Sequence, residues 1–338
     1  MPSSLSGRSG LAGCGEMKPP LLQLCNPRYL PTWIGLGVLR LLSLLPLPVL
    51  YRTGTVLGDL MQKTIPSRHH IAERNIRLCF PEKSSADVTA MVRENLRNTA
   101  RMFLYTGFFW WASRAHLDQA IRVSGSEVLD EALRDGRGVI ILAPHFVGLE
   151  LGGIYLSTGY QGVSVYQRSR NPVLDFFMLK SRQRFGAKLI ERKSDMKRLV
   201  RAIRQGQSCY YLPDQDPGPR RAVFAPFFGI PTATWPVLGR LARLARAQVI
   251  PCTTCILADG KGLEMVFDPP LADFPTGNPA EDAARMNRAV ESCVRHGQSN
   301  ILVEKPMATT VSDCVDTINA CRANGVKLGV GFQLRFHP

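Results

Sequence analysis

The sequence predicts an α/β protein, and three observations carry that prediction. From about residue 121 the chain alternates short, β-branched apolar runs with helical patterns, as strand-and-helix units require. One of those runs, "VIILA" at 139–143, is apolar at every position, which suits a central strand covered on both faces. At 338 residues the chain is also long enough to enclose a full core.

The elements follow in order. Residues 1–29 are rich in Ser, Gly and Pro, read as disordered, and carry no convincing signal peptide. The next stretch, "LPTWIGLGVLRLLSLLPLPVL" at 30–50, approaches the length of a membrane span. Arg40, Pro46 and Pro48 interrupt it, so a shallow or re-entrant segment competes with a clean crossing, and a buried helix is the alternative. Residues 30–62 are accordingly assigned to a membrane anchor or monotopic helix. The basic flank Lys63, Arg68, Arg74 and Arg77 places the following domain on the cytoplasmic side.

Apolar residues at helical spacing predict helices across 68–111, with Pro81 between them. The "FFWW" cluster at 108–111 reads as core. Candidate strands are "GVIILAPHF", "GVSVYQR", "GAKLIER", "SCYYLPD", "AQVIPCTTCIL" and "GLEMVFDPP", with helices at 173–185 and 195–205. Nine cysteines at irregular spacing read as reduced thiols. Cys252 and Cys255 form the one close pair, and buried thiols on a strand are expected there rather than a metal site.

His145 and Glu150 carry the chemistry. His145 emerges at the carboxyl end of the 139–143 strand, where α/β folds place their ligands. Gly148 permits a tight turn, and Glu150 falls in the first turn of the next helix. An imidazole near its ordinary pKa suits removal of a proton from an alcohol, and a carboxylate within reach fixes its tautomer and stabilises the imidazolium. No Ser or Cys nucleophile sits beside the pair, so the attacking hydroxyl is expected to belong to the substrate. On residue type alone, a structural histidine remains the commoner reading of such a position.

"APHFVGLE" resembles the His-x4-Asp/Glu signature of glycerolipid-type acyltransferases, and in its glutamate form the bacterial lipid A biosynthesis (lauroyl/myristoyl) acyltransferase family. "YLPTWIGLGVLRLLSLLPL", "RNIRLCFPE", "GFFWW", "VYQRSRNPVLDFFMLKSR", "YYLPDQDPGPRRAVFAPFFGIPTAT" and "AARMNRAVESCVRH" follow in that family's order, across about 28–296. The resemblance implies a glycerolipid-acyltransferase-like mixed sheet flanked by helices, with an N-terminal membrane-attaching helix and an acyltransferase domain over 63–299. It implies that His145 deprotonates the acceptor hydroxyl, with Glu150 as its partner. The donor would be a thioester on acyl carrier protein, and the acceptor a phosphorylated glycolipid. Another bacterial glycolipid or phospholipid acceptor is the alternative. No cofactor or metal is implied.

The family's usual Tyr-Arg-Pro stands here as Tyr166, Gln167 and Arg168. The resemblance therefore assigns the phosphate-contacting arginine to Arg168, with Arg170 second, unless Gln167 has replaced it. Phe146, Gly148 and the Asp214-Gln215-Asp216 run complete the acceptor-pocket candidates, with backbone N–H groups near Gly148 or Arg168 as oxyanion donors.

Charge is consistent with such partners. The chain carries 42 Lys and Arg against 27 Asp and Glu, a net +15, and twelve of the cations fall within 160–204. One basic face suiting an acidic carrier and a phosphorylated lipid is expected there. Nucleic acid is disfavoured, because Phe185 alone interleaves with the basic residues of 180–204. The end of the chain differs in kind. Residues 300–338 resemble a fragment of the glucose-fructose oxidoreductase-like NAD(P)-dependent dehydrogenases, with Glu304, Lys305 and Pro306 matching their Glu-Lys-Pro motif. No G-x-G-x-x-G follows a strand, "GLGVLR" at Gly35 being incomplete, and 39 residues cannot build a dinucleotide domain. A foreign, catalytically silent extension is expected, and an NAD(P)-dependent oxidoreductase is the remote alternative.

Overall fold

The computed structural model describes residues 24–191, 196–213 and 222–296. Seven strands form one sheet in the order β1-β9-β8-β2-β5-β3-β4. They are β1 (Ile121–Ser124), β2 (Val139–Leu142), β3 (Gly162–Tyr166), β4 (Lys188–Glu191), β5 (Ser208–Tyr211), β8 (Gln248–Ile256) and β9 (Leu263–Phe267). β2 pairs in parallel with both β5 and β8, while β8 and β9 are antiparallel, so the sheet is mixed. β6 (Val223–Phe227) and β7 (Ile230–Thr234) form a separate hairpin. All six strands expected from the sequence form; β1 and this hairpin are additions.

Helices cover both faces. Two connections, β2 to β3 through α7 (Leu149–Gly159) and β3 to β4 through α8 (Pro172–Gln183), lie on the first. Two others lie on the second: β4 to β5 through α9 (Met196–Arg204), and β7 to β8 through α10 (Val237–Ala245). This division follows from right-handed crossovers, because the strand order advances through the first pair and doubles back through the second. β2 shows the two faces residue by residue. Val139 and Ile141 enter one core, Ile140 and Leu142 the other, and all four are buried.

The apolar N-terminal stretch does not form one helix. α1 (Leu30–Leu42) and α2 (Leu47–Thr64) are separate, broken around Ser43 to Pro46, because Pro46 and Pro48 cannot continue a helix that starts before them. Among the described residues, no helix is long and apolar enough to cross a membrane. α1 instead packs against the protein: Trp33 makes an edge contact with Phe177, Asn171 Nδ2 donates to Thr32 Oγ1 at 2.7 Å, and Leu39 rests on Gly107. Its other side, and that of α2, leaves large apolar residues in solvent. Leu30, Ile34, Val38 and Leu41 form a stripe on α1, and Val49, Val56 and Leu60 one on α2.

α3 (Pro66–Cys79) and α4 (Ser85–Trp111) occupy the expected helical region. A capping box between Ser84 and Asp87 starts α4. α4 runs from one core to the other: Val88, Val92 and Leu96 belong to the second, Leu104, Tyr105, Phe109 and Trp110 to the first. Thus half of the FFWW cluster, Phe109 and Trp110, is buried core. α5 (Arg114–Ala120) and α6 (Ser126–Arg134) flank β1, and α11 (Pro279–His296) holds the β6–β7 hairpin. Asn287 Nδ2 of α11 donates to Pro226 O and Thr234 Oγ1, both at 3.0 Å.

α2 and α4 meet through Gly54 and Gly58. A Cβ on Gly58 would stand 2.3 Å from the Arg97 Cα, so backbone approaches backbone directly. Around this contact Asp59 accepts from Arg93 Nε at 2.8 Å and Arg97 Nε at 2.9 Å. Those bonds hold the Asp59 carboxyl well below the usual carboxylate range. Gly58→Ala should therefore part the two helices and lower stability by about 1–3 kcal/mol in urea unfolding; an unchanged midpoint would show that the seam has slack.

Candidate functional site

β2 is buried on both faces, so its chemistry can only appear at its ends. At the carboxyl end Ala143 and Pro144 remain buried, and His145 is the first residue to regain partial exposure. The chain then turns at Gly148, whose φ of 102° lies in the left-handed region that a side chain would resist. A Cβ there would also press on Thr254 of β8 at 3.2 Å. α7 starts at Leu149, which puts Glu150 in its first turn as the sequence predicts.

Glu150 has a partner that sequence reasoning missed. Arg182, in the last turn of α8, donates from Nε to both carboxylate oxygens at 2.9 and 3.1 Å, and its Nη2 donates to Oε2 as well. This forked pair fixes the carboxylate plane. Burial opposes the charge on Arg182, but the Glu150 and Asp175 carboxylates together outweigh it and the guanidinium pKa is raised. Both side chains are largely enclosed, at 28% and 16% exposure. Beneath them Tyr210 of β5 donates its hydroxyl to Leu149 O at 3.1 Å, its own pKa pushed well up by burial. Gly152 gives Tyr210 that space: a Cβ on it would lie 3.1 Å from the hydroxyl oxygen and 2.7 Å from Met265 Cε.

The loop between His145 and Glu150 is held from α4 as well. The Gly148 N–H points at Met102 Sδ, 3.0 Å away. A thioether is a weak acceptor, so this amide is engaged but not strongly committed. Val147 enters the first core and Phe146, at 4% exposure, the second. Phe146, grouped with the acceptor pocket from the sequence, thus packs beneath the loop as an anchor.

The other candidates lie along the same carboxyl edge. Gln167, Arg168 and Arg170 follow β3, two strands from β2, and all three are exposed. Arg168 stands 3.7 Å from Glu191 at the end of β4. Asp175 receives the Ser169 N–H at 2.8 Å, and Asn171 caps α8, which together shape the loop that carries these residues. Asp214, Gln215 and Asp216 lie outside the described residues, as do Glu304, Lys305 and Pro306. Gly35 lies inside α1 rather than in a strand-to-helix turn, so it forms no part of a dinucleotide fingerprint. Cys252 and Cys255 are buried on β8, and burial pushes the Cys252 thiol well up.

The run of cations within 160–204 does not make one face. Lys180 and Arg182 belong to α8 over the first core, whereas Arg198, Arg201 and Arg204 belong to α9 over the second. Proximity in sequence is undone here because consecutive crossovers fall on opposite sides of the sheet.

A partly exposed imidazole, a carboxylate fixed by arginine and a backbone amide therefore follow one another at the carboxyl end of β2, in a helix-flanked mixed sheet. Comparison with known proteins gives this arrangement its class. The profile of the family described as bacterial lipid A biosynthesis acyltransferase matches residues 18–299. The lipid A biosynthesis lauroyltransferase of Escherichia coli (strain K12) is 34% identical over 276 residues, covering 80% of this chain and 89% of that protein. The palmitoleoyltransferase of the same organism is 32% identical over 270 residues, with 80% and 88% covered. A lipid A biosynthesis acyltransferase of Haemophilus influenzae is also 32% identical, with 78% and 86% covered. The protein is an acyltransferase. It belongs to the bacterial lipid A biosynthesis acyltransferase family. A second profile, an oxidoreductase family with an NAD-binding Rossmann fold, matches residues 283–332, overlapping α11 and continuing beyond the described residues.

Removing the arginine leaves the enclosed Glu150 carboxylate without its fork. Arg182→Ala should cost on the order of 2–3 kcal/mol in denaturant unfolding, less than for a fully buried pair because some solvent reaches both groups. A loss below about 0.5 kcal/mol would mark the pair as an ordinary surface contact.

Proposed function

We propose that the protein moves a fatty acyl group from a thioester on acyl carrier protein to a hydroxyl of a phosphorylated lipid A precursor. The observation that carries this reading is His145 just past the carboxyl end of β2, with Glu150 in the first turn of the next helix held by Arg182. His145 takes the proton from the acceptor hydroxyl as its oxygen attacks the thioester carbonyl. The tetrahedral oxyanion that results needs donors set in advance, and the Gly148 N–H, which the weakly accepting Met102 thioether engages, is the proposed one. Collapse expels the carrier thiolate, which receives the proton from His145. Glu150 stabilises the imidazolium between these two transfers, and Arg182 keeps its carboxylate oriented. Arg168 and Arg170 are the proposed phosphate contacts, their exposed guanidinium groups lying on the same edge of the sheet as His145.

The enzyme works at the inner membrane with its catalytic domain on the cytoplasmic side. Support comes from the two apolar stripes of α1 and α2, which suit a helical hairpin lying in the interface rather than crossing it. Phe103 of α4, 58% exposed, extends the patch, since it lies one turn before the Gly107 on which Leu39 rests.

His145→Ala should lower transfer from acylated carrier protein by about 10²–10⁴-fold with the fold intact by circular dichroism; normal turnover would remove the general-base role. Leu41→Asp with Val56→Asp should abolish cosedimentation with phospholipid vesicles, and undiminished binding would mean that another surface holds the protein to lipid.

A further inference from the structure

We propose that the ridge formed by α9 and α10, on the sheet face opposite Arg182, is the docking surface for the acidic carrier protein that delivers the acyl group. This rests on the carrier-thioester reading given above and adds a location to it. Arg198, Arg201 and Arg204 line the outer side of α9, and Arg240, Arg243 and Arg246 line α10 and its cap. All six are exposed, and among the described residues none of them forms a salt bridge. Neither helix contains an Asp or Glu.

The two helices form one surface rather than two. Arg204 Nε donates to Leu244 O at 2.7 Å, joining the end of α9 to the end of α10. Arg240, Arg243 and Arg246 recur every three residues, as one helix side requires. Two large apolar side chains, Met196 and Leu244, are exposed among the cations, and an open hollow of about 500 Å³ beside Arg243 and Arg246 is floored by Phe274 and Pro275. A like-charged ridge whose two helices carry no acidic residue of their own is electrostatically matched to an acidic surface, and the apolar points supply contacts for its core.

α1 and α2 bury Leu36, Leu39 and Leu50 in the first core, whereas α9 and α10 bury Leu199, Ile203, Leu238 and Leu241 in the second, so a lipid surface on the first pair leaves the ridge to a soluble partner. Its orientation suits delivery. α9 follows β4 and leads into β5, so it runs from the carboxyl edge of the sheet, where His145 stands, toward the amino edge. Nine residues of helix span about 14 Å. A carrier seated along α9 therefore has its flexible acyl arm about one helix length from the edge that holds the site.

The test is the full-length double variant Arg201→Glu/Arg243→Glu, with Arg201→Gln/Arg243→Gln as the milder companion. Unacylated carrier protein should bind the reversed variant at least about ten-fold more weakly than wild type, with a flatter salt dependence, and the glutamine pair should fall between. Transfer should show a raised KM for acylated carrier protein with kcat retained, and no change with the same acyl group on pantetheine alone. Equal carrier affinity in wild type and variant overturns the proposal, as does an equal loss with both donors. Reduced binding to anionic vesicles with carrier affinity intact overturns it in favour of lipid. Ridge-dependent carrier binding by a protein that transfers nothing would leave docking standing and remove the catalytic reading. Transfer from the carrier that ignores both variants would do the reverse.

Discussion

The burial of β2 from both sides is the constraint on which the rest depends. Val139 to Leu142 alternate between two cores, so no position within the strand can present a polar group to a substrate. Chemistry is displaced past the buried Ala143 and Pro144 to His145, and the turn at Gly148 starts the helix whose first turn carries Glu150. The site is thereby built at the end of an interior strand, where parallel neighbours on each side restrict how far the strand end can shift.

That much was legible in the sequence, because a run apolar on both faces is a local pattern and a His-x4-Glu spacing survives folding unchanged. Arg182 was not. It lies 32 residues from Glu150, and in the sequence it is one cation among twelve. Nothing in its neighbours separates it from Lys180 or Arg184; only the packing of α8 beside α7 does. The β6–β7 hairpin is hidden in the sequence for a different reason. Pro226 and Pro231 argue against strand, yet they oppose one another in an isolated hairpin where neither must donate to a wider ladder.

The N-terminal stretch shows composition and geometry pulling apart. Its hydropathy alone describes a span, but the prolines divide it, and the two helices each spend one side on the protein. Trp33, Leu36 and Leu39 on α1 and Gly54 and Gly58 on α2 serve the fold, while the opposite stripes remain open. The basic run between 160 and 204 misleads in the same manner. Helices adjacent in sequence turn to different sides, and α9 finds its electrostatic companion in α10, some forty residues on. Surface charge is therefore organised by crossover handedness, which a residue-by-residue count cannot see.

α4 gives the two halves of the molecule a shared fate. Its first turns are embedded in one core and its last turns in the other, and between them Met102 reaches the loop that carries His145. A helix clamped at both ends cannot fray on one side of the sheet while holding on the other. The layers should then melt together as one cooperative unit, and the amides midway along this rod should open to exchange only when the whole molecule does.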